Sequence, residues 1–362
     1  MLAPQSAFGS GLTQDAALDS CLGESVERYS TVWQGTEPMV VGRQTDLPDA
    51  IPPQSILLYS ERQYSTRHQW NATSRDLFKV PEPVDDKAAI HWSPVRSLRD
   101  GSRRLVPTAL CYAGACGDPA AFCTADSIGC AAGRTTIEAQ LNALLEVVER
   151  DAVAIWWYNR LTRPHLPLAG TGAEDIADLA TAVRGIGKEL TVLDVTHDVD
   201  IPVYVAVGAE RDGTRPFFGA AAHPDARVAA RKAIAELIQL WFWTTVSEPE
   251  AAFGDWLRIG DLATDTHLTS DSTLHLRKRY VGTTAEMLSW CVQRLAARDL
   301  EPYALDMTRP EAGLPVSRII VPGARHCWNR LASGRLNDVP VSMGWRDRAL
   351  REEELNPIGC PL

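Results

Sequence analysis

One pattern restricts this chain more than any other: Glu-x-x-Glu-Arg occurs twice, each time inside a segment with helical apolar periodicity. The copies are Glu24-Ser25-Val26-Glu27-Arg28 and Glu146-Val147-Val148-Glu149-Arg150. A glycine and threonine turn precedes each, Gly11-Leu12-Thr13 and Gly133-Arg134-Thr135-Thr136, which predicts two helices opened alike by a threonine N-cap. A further helix, Arg227 to about Trp243, holds Glu236-Leu237-Ile238-Gln239 in related spacing. Strand-like pieces repeat too: Leu193-Asp194-Val195-Thr196 leads to Ile201-Pro202-Val203, and Leu305-Asp306-Met307-Thr308 to Leu314-Pro315-Val316. Helical patterns precede both, at 175–190 and 285–299. Units of helix, strand, turn and strand predict a layered fold, α/β or α+β, with internal pseudo-symmetry.

The carboxylates in this repeat sit in an unusual setting. A helical rotation of about 100° per residue places Glu138, Glu146 and Glu149 along one side of the second helix, near Asn142. Leu141, Leu144, Leu145, Val147, Val148, Val153, Ile155, Trp156 and Trp157 surround them, so this helix is apolar almost all round and predicted to be buried. Like charges on a buried face repel and lose hydration, at a cost of several kcal/mol unless a cation neutralises them. An all-oxygen, carboxylate-rich set suits Mg²⁺, which binds a few carboxylates together with substrate phosphates. Magnesium with ATP is the expectation. Glu24 and Glu27 would bring the same pair from the first helix, while Arg28, Arg150 and Lys232 would neutralise phosphate oxygens. The plainer alternative is Glu-x-x-Glu on wet helix faces, with Arg28 and Arg150 in local ion pairs. Its repetition inside two apolar helices favours the metal.

Composition removes other classes. Lys plus Arg is 36 against Asp plus Glu 46, a net charge of −10, which repels polyanions and argues against nucleic acid. No apolar run of about 18 residues and no cationic start followed by an apolar stretch predict neither a membrane span nor a targeting segment. Eight cysteines are too sparse for a disulfide scaffold, which fits a reducing cytoplasm. Cys111, Cys116, Cys123 and Cys130 lack the short gaps of a zinc knuckle and read as buried filler. Gly185-Ile186-Gly187-Lys188 is followed by Glu189 rather than Ser or Thr, so it is not a phosphate loop.

The chain resembles the YcaO family of ATP-dependent peptide-modifying enzymes over nearly its whole length. The resemblance lies in Gly9-Ser10-Gly11-Leu12-Thr13 through Ser30, Ala131-Ala132-Gly133 through Ala152, and Ala222-His223-Pro224-Asp225 through Leu237. It continues in Leu314-Pro315-Val316 through Val321-Pro322-Gly323 and in Leu355-Asn356-Pro357. It implies an α+β fold of pseudo-repeated helix and sheet units in one continuous domain, 1–362, with the nucleotide site between helices. It places Mg²⁺ on Glu24, Glu27, Glu138, Glu146 and Glu149, and ATP near Ser10, Arg28, Arg134, Arg150, Lys232 and Glu236. Ser10 stands where the family usually has lysine, Ile128 and Arg134 where it has asparagine, and Lys232 where it has arginine. Arg134 is expected to point toward the phosphate site.

The activity implied is phosphorylation of a backbone amide oxygen in a ribosomally made precursor peptide, after a Cys, Ser or Thr side chain adds to the amide carbon. Loss of phosphate then leaves a thiazoline or oxazoline. Amidine or thioamide formation, or a scaffold or regulatory subunit that has lost turnover, are the alternatives. The azoline-forming branch tends to end in Pro-x-Pro-x-Pro, whereas this chain ends Asn356-Pro357-Ile358-Gly359-Cys360-Pro361-Leu362. With its length absorbed by the resemblance and a short amino-terminal part, no separate leader-binding module is expected, so a leader-peptide-binding partner protein is. A homodimer is compatible with this reading.

Overall fold

A computed structural model of the chain describes residues 7, 9, 11, 13–74, 79–115, 126–168, 174–246, 256–277 and 280–361. The chain forms two compact units of interleaved segments. The first comprises 1–147, 282–324 and 330–333, the second 148–281, 325–329 and 334–362. The boundary falls inside one helix, Thr136–Tyr158, so no linker composition marks it in the sequence.

The first unit is built on an antiparallel sheet. Its strands are β1 (Val40–Gly42), β2 (Ile90–Ser97), β3 (Arg103–Pro107), β4 (Cys130–Ala132), β8 (Tyr303–Asp306) and β9 (Val316–Ile320), in the order β1-β2-β8-β9-β4 with β3 also on β2. Trp92, Val95, Leu105, Val106, Tyr112, Leu305 and Val316 form its core. The helix Gln14–Thr31 starts as predicted, the Thr13 hydroxyl accepting from the Ala16 N–H at 3.2 Å, and packs on β4 and β9.

The second unit holds a sheet of β5 (Lys188–Asp194), β6 (Val203–Glu210) and β7 (Phe217–Ala222), antiparallel in that order. Nearly all of β6 is buried, and apart from Tyr204 and the terminal Glu210 it consists of Val, Ala and Gly. Helices Glu174–Gly185 and Ala226–Val246 pack on this sheet. The first ends earlier than its periodicity predicts because Gly187, at φ +84°, turns the chain into β5. At the end of the Thr136–Tyr158 helix, the backbone N–H of Asn356 donates to the Tyr158 carbonyl at 2.8 Å, and its Nδ2 to the Trp157 carbonyl at 3.4 Å. A segment far along the chain thus satisfies carbonyls that a helix end leaves open.

The expected repeat is present bond for bond. In the second unit the Thr196 N–H donates to Asp194 Oδ1 at 2.9 Å, and the Val203 N–H donates to Thr196 Oγ1 at 3.0 Å. In the first, the Thr308 N–H donates to Asp306 Oδ1 at 3.0 Å and the Val316 N–H to Thr308 Oγ1 at 3.2 Å. His223 N–H donates to the Pro202 carbonyl and Gly133 N–H to the Pro315 carbonyl, both at 3.0 Å. The same helix, three strands and helix therefore occur twice, in chain order in the second unit. In the first, β4 and its helix come before the other pieces.

Candidate functional site

Three carboxylates, Glu24, Glu27 and Glu146, act on one another in the first unit. Glu27 is forced up to about 9, first by burial and then by the charges of Glu146 and Glu24, with Arg28 and Arg318 offsetting only part. Glu146 Oε2 accepts from the Gly129 N–H at 3.1 Å, fixing the carboxylate beside β4. Arg28 lies on Glu24, its Nη2 2.6 Å from Oε1. Arg318 adds a buried cation on β9: its Nη1 donates to the Asp126 carbonyl at 2.7 Å and its Nη2 to Asp126 Oδ1 at 3.2 Å, while Arg330 Nη2 stands 3.3 Å from Asp126 Oδ2. Among the described residues, no three His, Cys, Asp or Glu side chains are already converged as a metal-binding group. The donor set nonetheless fits a hard divalent cation. It is all oxygen, partly buried and mutually repelling, which is the condition a bound Mg²⁺ would relieve.

The second unit holds a charged group of its own. Arg150 Nη1 lies 2.6 Å from Glu149 Oε1, and the charges of Arg150 and Lys232 act on Glu236. Burial raises Glu236 above the usual carboxylate range, against the pull of Arg150, the Ala220 N–H at 2.8 Å and Lys232. Burial, then Lys232, depresses His223 to about 4, so its ring is neutral at pH 7. Its Nδ1 accepts from the Asp225 N–H at 2.9 Å, leaving the ring proton on Nε2.

A profile described as YcaO cyclodehydratase, ATP- and Mg²⁺-binding, matches residues 8–325. The chain belongs to the YcaO family. It is similar to a heterocyclase solved in complex with substrate and cofactor, at 36% identity and TM-score 0.93 over 98% of this chain and 49% of that one. It is also similar to the heterocyclase TruD, at 37% identity and TM-score 0.86 over 94% of this chain and 50% of that one. The chain thus spans about half the length of these two structures. The YcaO protein of Methanopyrus kandleri bound with AMPPCP and Mg²⁺ shares the fold, at 22% identity and TM-score 0.67 over 87% of this chain and 78% of that one. An uncharacterised protein of Methanothermobacter thermautotrophicus is 24% identical over 87% of this chain and 80% of its own length.

Within this YcaO fold the expected site residues fall into several places. Glu24, Glu27, Arg28 and Glu146 come together in the first unit, and Glu149, Arg150, Lys232 and Glu236 in the second. Glu138 sits at the start of its helix, where its carboxylate accepts from the Arg134 N–H at 3.0 Å while its own N–H donates to Thr135 Oγ1 at 3.2 Å. Ser10 lies outside the described residues, as do Cys116 and Cys123. Cys111 and Cys130 are buried, and burial pushes the Cys111 thiol up to about 12, consistent with inert filler.

Arg134 does not turn inward as expected. Its side chain is 83% exposed, with Nη2 3.8 Å from the exposed Asp19, while its backbone N–H donates to Glu138 at the start of the helix. Arg134→Asn should therefore change folding stability by less than about 0.5 kcal/mol, which urea unfolding measures. Arg318 and Asp126 were not singled out from the sequence. The available signal was an arginine set inside Val316-Ser317-Arg318-Ile319-Ile320, a strand with no exposed position.

Proposed function

We propose that this YcaO chain uses MgATP to activate a backbone amide of a ribosomally made peptide, in the cytoplasm, forming thiazoline or oxazoline from Cys, Ser or Thr. The observation that carries the reading is the repelling carboxylate group of Glu24, Glu27 and Glu146, with Glu27 held protonated near neutral pH until a cation replaces the proton. Glu24, Glu27 and Glu146 would take the metal, with Glu138 and Glu149 as further carboxylates from the same long helix. Arg28, Arg150 and Lys232 would face phosphate oxygens, with Glu236 orienting the cations beside it. Bound MgATP supplies the phosphoryl group and a cation to offset charge on the oxygens. On the peptide, the nucleophile adds to the amide carbon, the former carbonyl oxygen accepts the phosphoryl group, and phosphate leaves as the C=N bond forms. ATP is consumed to ADP and phosphate, and the peptide loses one water. The family match and the two similar heterocyclases support this chemistry.

Co-expression with a candidate precursor peptide, read by mass spectrometry, tests the proposal. The expected product has lost one water per modified residue, and the loss disappears when that Cys, Ser or Thr is replaced by alanine. Exchange of oxygen for sulfur, or water loss at other residues, overturns the azoline assignment. We assign leader recognition to a partner protein. Tight leader binding by this chain alone, with no peptide-binding partner co-purifying, would overturn that assignment.

A further inference from the structure

The helix turn that carries Glu149 and Arg150 ends in Asp151, which is 2% exposed. Its carboxylate is saturated. Oδ1 accepts from the Arg325 backbone N–H at 2.7 Å, and Arg335 closes on Oδ2 with Nε at 3.0 Å and Nη2 at 2.6 Å. The same guanidinium reaches Asp198, Nη1 to Oδ2 at 3.0 Å and Nη2 to Oδ1 at 2.8 Å. Between the two carboxylates stands the His197 ring, Nε2 3.2 Å from Asp151 Oδ2 and Nδ1 3.0 Å from Asp198 Oδ1. Four stretches of the second unit meet here: the long helix, the turn between β5 and β6, the segment after β9, and the first residue of the helix Arg335–Ser342.

Such a network is an expensive way to hold a core together, because desolvating the charges cancels much of their attraction and apolar side chains of equal volume often serve better. What it offers instead is direction. A planar guanidinium fork fixes two carboxylates in distance and orientation, which apolar packing does not. Asp151 follows Arg150 directly and is two residues from Glu149, so a rotation or slide of this turn displaces all three together.

We propose that the Asp151–Arg335–Asp198 network is a positioning device that fixes the helix turn bearing Glu149 and Arg150, and so sets the geometry in which they meet MgATP. The second clause rests on the assignment of Glu149 and Arg150 to the nucleotide. Asp151, Arg335 and Asp198 touch neither nucleotide nor peptide in this scheme.

The test uses Asp151→Asn/Arg335→Gln, which removes the Asp151 and Arg335 charges together and takes the guanidinium from Asp198 as well, alongside Arg335→Lys, which keeps the charge and loses the fork. Two readouts are needed: amide hydrogen exchange across residues 146–152, and the MgATP concentration giving half of the ligand-induced rise in Tm. In the double variant, exchange should accelerate across 146–152 and the half-effect concentration should rise about tenfold or more. Arg335→Lys should fall between it and the wild type. A folded double variant with wild-type exchange at 146–152 overturns the proposal, as does a lowered Tm with unchanged MgATP dependence, which is the behaviour of a merely structural contact. A wild-type protein with no MgATP-induced rise would sink the nucleotide assignment, and the exchange readout would still decide whether the network fixes the turn.

Discussion

Glu27→Gln is expected to abolish the MgATP-induced rise in Tm while making the ligand-free protein more stable at alkaline pH. Burial and the neighbouring charges of Glu146 and Glu24 raise the folded-state value to about 9, whereas the unfolded chain titrates near the ordinary 4.5. Across that window the folded state keeps a proton that the unfolded state has lost. Stability of the ligand-free wild type therefore declines as pH rises from about 4.5 toward 9, and levels off above. Glutamine mimics the protonated acid and removes this slope, so the variant gains on the wild type with rising pH, by on the order of a few kcal/mol at the alkaline end. Magnesium must displace the same proton, so binding to the wild type should release protons at pH 7 and tighten as pH rises. Melting curves from pH 5 to about 9.5, with and without MgATP, measure both effects. A variant that melts earlier than the wild type yet keeps the full ligand-induced rise would remove Glu27 from the metal site.

Gly129→Ala is expected to cost about 3 kcal/mol of folding free energy, combining left-handed strain with overpacking. Gly129 enters β4 at φ +76°, and a Cβ there would stand 2.4 Å from the Ile319 carbonyl oxygen and 2.9 Å from Val147 Cγ2. Its N–H also donates to Glu146, so any relief by backbone shift would move that carboxylate. The repeat supplies an internal control. Gly219 occupies the corresponding place on β7, where a Cβ would stand 2.4 Å from the Leu237 nitrogen and 2.7 Å from the Ala233 carbonyl oxygen. Gly219→Ala should be destabilising by overpacking alone, so the difference between the two variants reads the left-handed strain at Gly129. Equilibrium unfolding in urea measures both losses. A loss below about 1 kcal/mol for Gly129→Ala would contradict the crowding described here.

Much of this architecture was legible because the repeated signals are local. Asp-x-Thr at the end of β5 and of β8 announces itself, since the aspartate bonds the backbone two residues on and the threonine bonds the next strand. Thr13 and Thr135 were readable as helix starts for the same reason. Strand β4, only Cys130–Ala132, is too short for a period to show, and its pairing with β9 depends on residues far along the chain. The Thr136–Tyr158 helix was visible through the contrast of Glu with an apolar surround, whereas the Gln14–Thr31 helix buries only Ser30 and Thr31 and was visible through the repeated motif alone. The cations that balance them were less so: Arg318 lies on a distant strand, and Arg134, adjacent in sequence, faces outward. The two-unit division was hidden because a single unbroken helix crosses it.

The split copy of the repeat also imposes an order of assembly. In the second unit, β5, β6 and β7 follow one another between residues 188 and 222, joined by short connections, so this sheet can form from neighbouring chain as it leaves the ribosome. Strand β4 must wait. Its partner β9 is not made until residue 320, and the stretch 148–281 of the other unit is synthesised in between. Until then the edge of β4 that pairs with β9 stays open, so the first sheet can close only after most of the second unit has left the ribosome.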